Sequence, residues 1–450
     1  MQPKDYLSAR ALENLSREVN WRDLRKTLSK PYDSVTRPDG RINLGLAEST
    51  LMHQELATHI KANFEIDLAA HLTYGSGPNG SPLLLQALSR FINRRFGPVI
   101  PVTGDELIIS SGLAAAIDCL TWNICDEGDG ILVPQPFYAG FITDIELRSR
   151  ARVLPVSYRR KGRPYHLLDA FDPEITHQAL QDALEKYDRS GVKIRAVLIS
   201  NPHNPLGRCH STRTLQEIAR FCQLHEMHLI SDEIYANSTF RNPSCLDAEP
   251  FRSLLSIDLA SLIHPERVHV LYGMSKDFCA NGLRLGAVHT RNAALREAMA
   301  TLNIFSWPAY VTQDMWARIL LDEPFIEKFI GLNQDRLANC YTTFTSFLDK
   351  YEIPYLPGGN AGFFIWTRLI REPATRTPEA AHKSVLSLKE ELLGACLSNG
   401  LFIRDGAKYF DEAPEGGWFR ITFTVDEHIL EVATTRLLKS LRETGLLCES

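Results

Sequence analysis

No stretch of this 450-residue chain comes near the roughly 20 consecutive apolar residues that cross a bilayer, so no membrane-spanning helix is expected. The opening, MQPKDYLSARALENLSREVN, mixes acids and bases and lacks the apolar core of a secretory leader. The ending, Leu447-Cys448-Glu449-Ser450, matches no prenylation or peroxisomal signal. The chain has nine cysteines but no CxxC pair, which argues against both a disulfide framework and a zinc site and for reduced thiols. His225 and His228 in HEMH are spaced for one helix face, yet no third ligand stands nearby, so no metal is expected. Positive charge is not in excess either: 49 basic against 54 acidic residues leave a net charge of −5. That balance argues against a nucleic-acid or anionic-membrane partner held through bulk charge. The one basic cluster, Arg159, Arg160, Lys161 and Arg163, reads as a solvated loop. Internal repeats and low-complexity segments are also missing. These absences leave a cytoplasmic globular protein as the expectation.

Hydrophobic content of 44% and charged content of 23% are those of a soluble enzyme with a large core. From residue 107 the pattern becomes strand, loop, helix, repeated. ELIIS precedes the turn at Gly112 and the helix LAAAIDCLTWNI, and ILVPQPFYAGF and RVLPVSY begin as strands. IRAVLIS has the near-continuous apolar character of a strand buried on both faces, and it runs into NPHNPLG, where two Asn-Pro pairs force a turn. Thr214 to Glu217 reads as a capping box that opens a helix with Leu215, Ile218 and Cys222 on one face. HLISDEIY and RVHVLYGMSK follow, and RLGAVHT closes the set. Strands alternating with helices predict a largely parallel, doubly wound α/β sheet, in which ligands sit beyond the carboxyl ends of the strands. After residue 325 the texture changes. AGFFIWTRL and WFRITFTV read as strands, each followed by an amphipathic helix (about 380–399 and 426–443), and this smaller unit is expected to pair with the N-terminal segment.

The chemistry-bearing residues collect at those strand ends. A lysine at a strand end is ordinarily a solvated charge, but Lys276 is accompanied by the groups that an aldehyde cofactor bonded to a lysine needs. Asp232 can pair with a pyridine nitrogen and keep the ring protonated, so that it absorbs a carbanion formed at a substrate Cα. Tyr235 and Asn204 can donate to the ring hydroxyl, and Tyr138 can stack on the ring face. A phosphate would take the free N–H groups of Leu113 and Ala114 at the helix start together with Arg284. Arg420 in GWFRI offers the planar fork that suits a substrate carboxylate. Together these residues describe a pyridoxal 5'-phosphate (PLP) site.

NPHNPLG, SDEIY and YGMSKDFCANGLRLG, met in this order, resemble the fold-type I PLP enzymes of the class I/II aminotransferase superfamily. GLAE at 45–48, VPQPFYAGF, SKD and GWFR are similar to the 1-aminocyclopropane-1-carboxylate (ACC) synthase-like branch, which includes fungal C–S lyases. The resemblance spans about residues 40 to 440. It implies a large PLP-binding domain with a mostly parallel seven-stranded sheet flanked by helices (66–325). It also implies a smaller α+β C-terminal domain (326–450), which the N-terminal segment (1–65) joins. Lys276 would bond the cofactor and then move the Cα proton, with Asp232, Asn204, Tyr235 and Arg284 in the roles given above. Tyr74 would reach the phosphate of a neighbouring subunit, which implies a homodimer with shared sites. Arg420 would bind the substrate carboxylate, and Glu48 would stand near the substrate side chain.

Three positions depart from the family pattern. Ala114 replaces a hydroxyl residue, Gly273 replaces a serine, and GLAEN reads GLAES. Ser275, Ser111 or backbone donors would then have to serve the phosphate. The expected reaction is elimination or substitution at a C–S bond, or ACC synthesis. The alternative is aminotransfer to a 2-oxo acid. A non-enzymatic PLP-sensing regulator is a remote third reading, since only about 40 residues precede the fold and leave no room for a DNA-binding module.

Overall fold

The structure is a computed structural model that describes residues 6–16, 28–159, 165–411 and 416–447. Most of the basic cluster at 159–163 and the ending Cys448 to Ser450 lie outside the described residues, as do parts of the opening segment.

A seven-stranded sheet forms from β2 (Leu107–Ser110), β3 (Gly130–Pro134), β4 (Arg152–Val156), β5 (Ile194–Ser200), β6 (His228–Asp232), β7 (Val268–Gly273) and β8 (Gly286–Thr290). Their spatial order is β2-β8-β7-β6-β5-β3-β4. The pairs among β3 to β7 are parallel, and only β8 runs against its neighbours β2 and β7. Every residue of β2, β3, β7 and β8 is buried, as expected for strands covered by helices on both faces. Register then decides where the loops begin. Ser200 lies beside Asp232 and Asp232 beside Leu271, while Ser110 and Gly273 both face Gly286. Strands β2, β5, β6 and β7 therefore end along one edge, and the segments carrying Leu113, Asn204, Tyr235 and Lys276 leave from that edge.

Two smaller sheets complete the fold. β9 (Phe364–Arg368), β11 (Arg404–Asp405) and β12 (Trp418–Thr422) form an antiparallel sheet in the order β11-β12-β9. β1 (Ile42–Asn43) pairs in parallel with β10 (Leu401–Phe402), which ties the segment after residue 40 to the C-terminal part. The helices expected after β9 and β12 run over Val385–Ser398 and Glu427–Glu443. A helix absent from the sequence reading, Glu323–Lys350, leads into β9. It is capped by Asp322, whose side chain accepts from Phe325 N, and it buries Ile326, Phe329, Ile330, Leu337 and Phe344.

The capping box at Thr214 is corrected. The helix starts at Thr212, and Ser211 caps it by accepting from Thr214 N at 3.1 Å. Thr214 is buried inside the first turn and donates its hydroxyl to Phe171 O at 2.8 Å. A second capping residue three positions upstream outcompeted the first because its own backbone is extended, as a cap requires. Leu215, Ile218 and Cys222 are buried as the helical spacing indicated.

Candidate active site

Lys276 stands three residues beyond the end of β7 in a turn that its neighbour fixes. The Asp277 carboxylate is buried and accepts from Asn237 N and Nδ2 (2.8 and 3.0 Å), Ser238 Oγ (2.6 Å) and the Tyr272 hydroxyl (2.9 Å). So many donors on one carboxylate lock the backbone there. The Lys276 ammonium donates to Ala47 O, and the charges around it are those of Arg420, Glu48, Asp232 and Arg284. Burial, aided by Arg420, lowers its pKa to about 8, while Glu48 and Asp232 oppose the change.

Asp232 closes β6 and is only 7% exposed. Burial raises its carboxyl to about 7, against the pull of the Ile234 N–H at 3.2 Å and of Lys276. No ion pair to this carboxylate forms among the described residues, so it is a buried acid without a bonded countercharge. Its charge also acts on a group that the sequence reading missed. Asp144, in the helix Gly140–Glu146, is raised to about 7 by burial and by Asp232. An acid within a short helix carries no sequence signal of such proximity.

Arg420 projects from β12 and is 3% exposed. Its Nη1 donates to Asn204 Oδ1 at 3.1 Å and its Nη2 to Gly45 O at 2.7 Å, and the guanidinium lies over Phe364 and Tyr409, 4.3 and 5.1 Å from the ring centres. The Nε is buried without a partner. A guanidinium held on its faces and edges this way is a preoriented fork with donor capacity to spare. Because Asn204 spends its oxygen on Arg420, its NH₂ group remains as the donor. Tyr235 is buried edge-on against Phe363 and Phe364, and burial holds its phenol well above the ordinary range, so it too stays a donor. Phe364 and Tyr409 were not foreseen, since aromatics on strands and turns read as core.

At the other end, Gly112 (φ 83°) precedes the helix Leu113–Ile124, whose first N–H groups have no side-chain cap. A Cβ on Gly112 would stand 2.7 Å from Arg284 Nη2, and the positive φ itself favours glycine where the guanidinium covers this helix start. Arg284 itself has a left-handed backbone (φ 53°) and donates from Nη1 to Asn281 O at 2.8 Å. Ser111 is committed elsewhere, its hydroxyl donating to Ser306 O, whereas Ser275 sits partly buried beside Lys276. Ala114 is exposed.

The glycine at 273 has a steric cause. A Cβ there would lie 2.6 Å from Leu285 O and 2.9 Å from Leu113 Cδ1, and a Cβ on Gly286 would lie 2.8 Å from the same methyl. The Leu285 carbonyl and Leu113 together occupy the space that a side chain at 273 would need. Gly273→Ser is therefore expected to destabilise the fold by about 1–3 kcal/mol, as overpacking does. Urea denaturation should show a lower midpoint, partly recovered in Gly273→Ser/Leu113→Ala.

Tyr138 is 39% exposed and edge-on to Phe141 at 5.4 Å, with its ring folded over Gly140. Burial, with Asp144 adding to it, pushes the phenol up to about 12. Tyr74 is not brought into this cluster. It is 83% exposed, edge-on to Trp307 at 6.3 Å.

The model of the family "Aminotransferase class I and II" matches residues 40–437. The chain belongs to that family. It is 33% identical over 407 residues to the probable aminotransferase aclI of Aspergillus oryzae, covering 89% of this chain and 91% of that protein. It is 32% identical over 421 residues to 1-aminocyclopropane-1-carboxylate synthase 7 of Arabidopsis thaliana, covering 90% and 88%. Aspartate aminotransferase from Thermus thermophilus with maleate shares the fold, at a TM-score of 0.70 and 20% identity over 97% of this chain and 99% of that one. As a member of the class I and II aminotransferase family the protein is a PLP-dependent enzyme related to ACC synthases and to aclI. Its residues fit the cofactor. The buried Asp232 lacks the cation that a protonated ring nitrogen would be, and the Gly112 cradle presents uncapped N–H groups under an arginine. Among the described residues no helix is long and apolar enough to cross a membrane.

Proposed function

We propose that this enzyme removes the α-proton of an amino acid and then breaks or replaces a bond from carbon to sulfur in its side chain. The observation that carries this reading is the placement of Glu48. Its carboxylate is held by Asn281 Nδ2 (2.7 Å) and Asn43 Nδ2 (3.2 Å), and it is among the charges acting on the Lys276 amine. On this reading a carboxylate held on the lysine's side of the site would meet the substrate side chain, a contact that transfer of the amino group alone does not require. The ACC synthases among the relatives support the same direction.

In this reading Arg420 binds the substrate carboxylate with its remaining donors, assisted by Asn204. Lys276 takes the proton from Cα, its lowered pKa bringing it into the range where a base works near neutral pH. PLP, when bound, supplies the electron sink for the resulting carbanion. Asp232 would keep the proton on the ring nitrogen, Asn204 and Tyr235 would serve the ring hydroxyl, and Tyr138 would cover the ring. Arg284, Ser275 and the N–H groups of Leu113 and Ala114 would hold the phosphate. The exposure of Tyr74 suits a residue that completes the site of a second copy of this chain, in a homodimer. Aminotransfer is the second reading, favoured by the printed name of aclI.

Purified holoenzyme incubated with S-substituted cysteines, methionine derivatives and common amino acids separates the two. Thiol release with pyruvate is expected from at least one sulfur substrate. Amino-group exchange with 2-oxo acids and no thiol release would overturn the lyase reading.

A further inference from the structure

The loop between Lys276 and Arg284 carries a residue whose two polar groups serve opposite ends of the site. Asn281 donates from Nδ2 to Glu48 Oε1 at 2.7 Å, and its main-chain carbonyl accepts from Arg284 Nη1 at 2.8 Å. The backbone of Glu48 is already fixed, since its carbonyl accepts from Thr424 Oγ1 at 2.7 Å. Asn43 Oδ1 also pins the preceding loop by accepting from Gly45 N and Leu46 N at 3.1 and 3.0 Å. What is left to set is the Glu48 side chain. Of its two amide partners, Asn281 makes the shorter bond and comes from the lysine-bearing loop. A hydrogen bond to an ionised carboxylate is about twice as strong as a neutral one, enough to choose a rotamer.

We propose that Asn281 is a positioning residue: its side chain aims the Glu48 carboxylate at the Lys276 amine while its carbonyl steadies Arg284. This rests on the reading of Glu48 and Lys276 as site groups. Because the two tasks fall on different atoms, a side-chain substitution separates them: Asn281→Ala leaves Glu48 with the longer Asn43 bond alone and keeps the carbonyl under Arg284 in place. A residue that merely shaped the turn would act on Arg284 and on cofactor binding.

The test uses the holoenzyme without any amino-acid substrate. The pH midpoint of the absorbance change of the lysine-bound cofactor is measured for the native enzyme, Glu48→Gln, Asn281→Ala and the double variant. PLP affinity is measured by quenching of tryptophan fluorescence in each apoenzyme. Glu48→Gln is expected to lower the midpoint by about one unit, the usual effect of losing a nearby opposite charge. Asn281→Ala should lower it by roughly half as much and add nothing in the Glu48→Gln background, with PLP affinity within about twofold of native. Asn281→Gln, which displaces the amide by a methylene, should shift the midpoint in the same direction and serves if the alanine variant does not fold. An equal shift from Asn281→Ala with and without Glu48, or no shift where Glu48→Gln gives one, overturns the proposal alone. So does a tenfold or larger loss of PLP affinity with the midpoint unmoved. If Glu48→Gln leaves the midpoint unchanged, Glu48 does not act on the amine, and the underlying site reading falls as well.

Discussion

Lys276→Ala is expected to lower turnover by at least about four orders of magnitude, because on the proposed roles it removes both the covalent anchor of the cofactor and the base that moves the Cα proton. The same change should abolish the PLP adduct that borohydride traps on the protein, read by mass spectrometry as a pyridoxyl-modified residue 276. An adduct of undiminished yield in the variant would show that another amine does this work. The geometry adds a pH signature. Only the neutral amine attacks an aldehyde, and burial beside Arg420 brings the Lys276 pKa from its ordinary value of 10.5 to about 8. The rate at which apoenzyme and PLP combine should therefore climb up to about pH 8 and then level off. A rate that kept rising towards pH 10 would mean that the amine is not held as described.

The second large effect belongs to Asp232. Asp232→Asn preserves shape and removes the charge, and turnover should fall by about 10²–10⁴-fold, the cost of leaving a buried cation unpaired. Stability of the apoenzyme should change in the opposite sense. Burial raises this carboxyl from 3.8 to about 7. A carboxyl raised on folding contributes stability that is complete below the unfolded value and is lost as pH rises through the folded one. Native apoenzyme should thus weaken between pH 4 and pH 8 through this group, and Asp232→Asn should not. Thermal unfolding of the two apoenzymes at pH 8 should place the variant higher. A native melting point above that of the variant at pH 8 would show that Asp232 already has a countercharge from the protein.

Both residues were legible in the chain because the sheet is simple to read. Lys276 and Asp232 each follow a short apolar run, and parallel register carries such ends to a common edge. Arg284 was singled out as a fixed cation for a phosphate, and Arg420 in GWFRI as a planar fork for a carboxylate, both in line with the family resemblance. What escaped the sequence depends on contacts between distant segments. Asp144 lies in a helix whose pattern says nothing about Asp232, and Asn281 looks like an ordinary turn residue until Glu48 is folded onto it. The absence of a serine at 273 was visible, but its reason was not, since it lies in the Leu285 carbonyl and the side chain of Leu113. The capping box at Thr214 misled because Ser211 offers the same chemistry one turn earlier. Local pattern decides elements here, and tertiary packing decides their ends.

The segment from Gly45 to Glu48 is bonded through Gly45 O to Arg420, through Ala47 O to Lys276 and through the Glu48 carboxylate to Asn281. A shortened protein beginning near residue 50 would keep the lysine, the aspartate and both arginines and still lose the wall that faces them. For anyone trimming or grafting this enzyme, residues 45–48 have to travel with the strands and loops that carry Lys276 and Arg420.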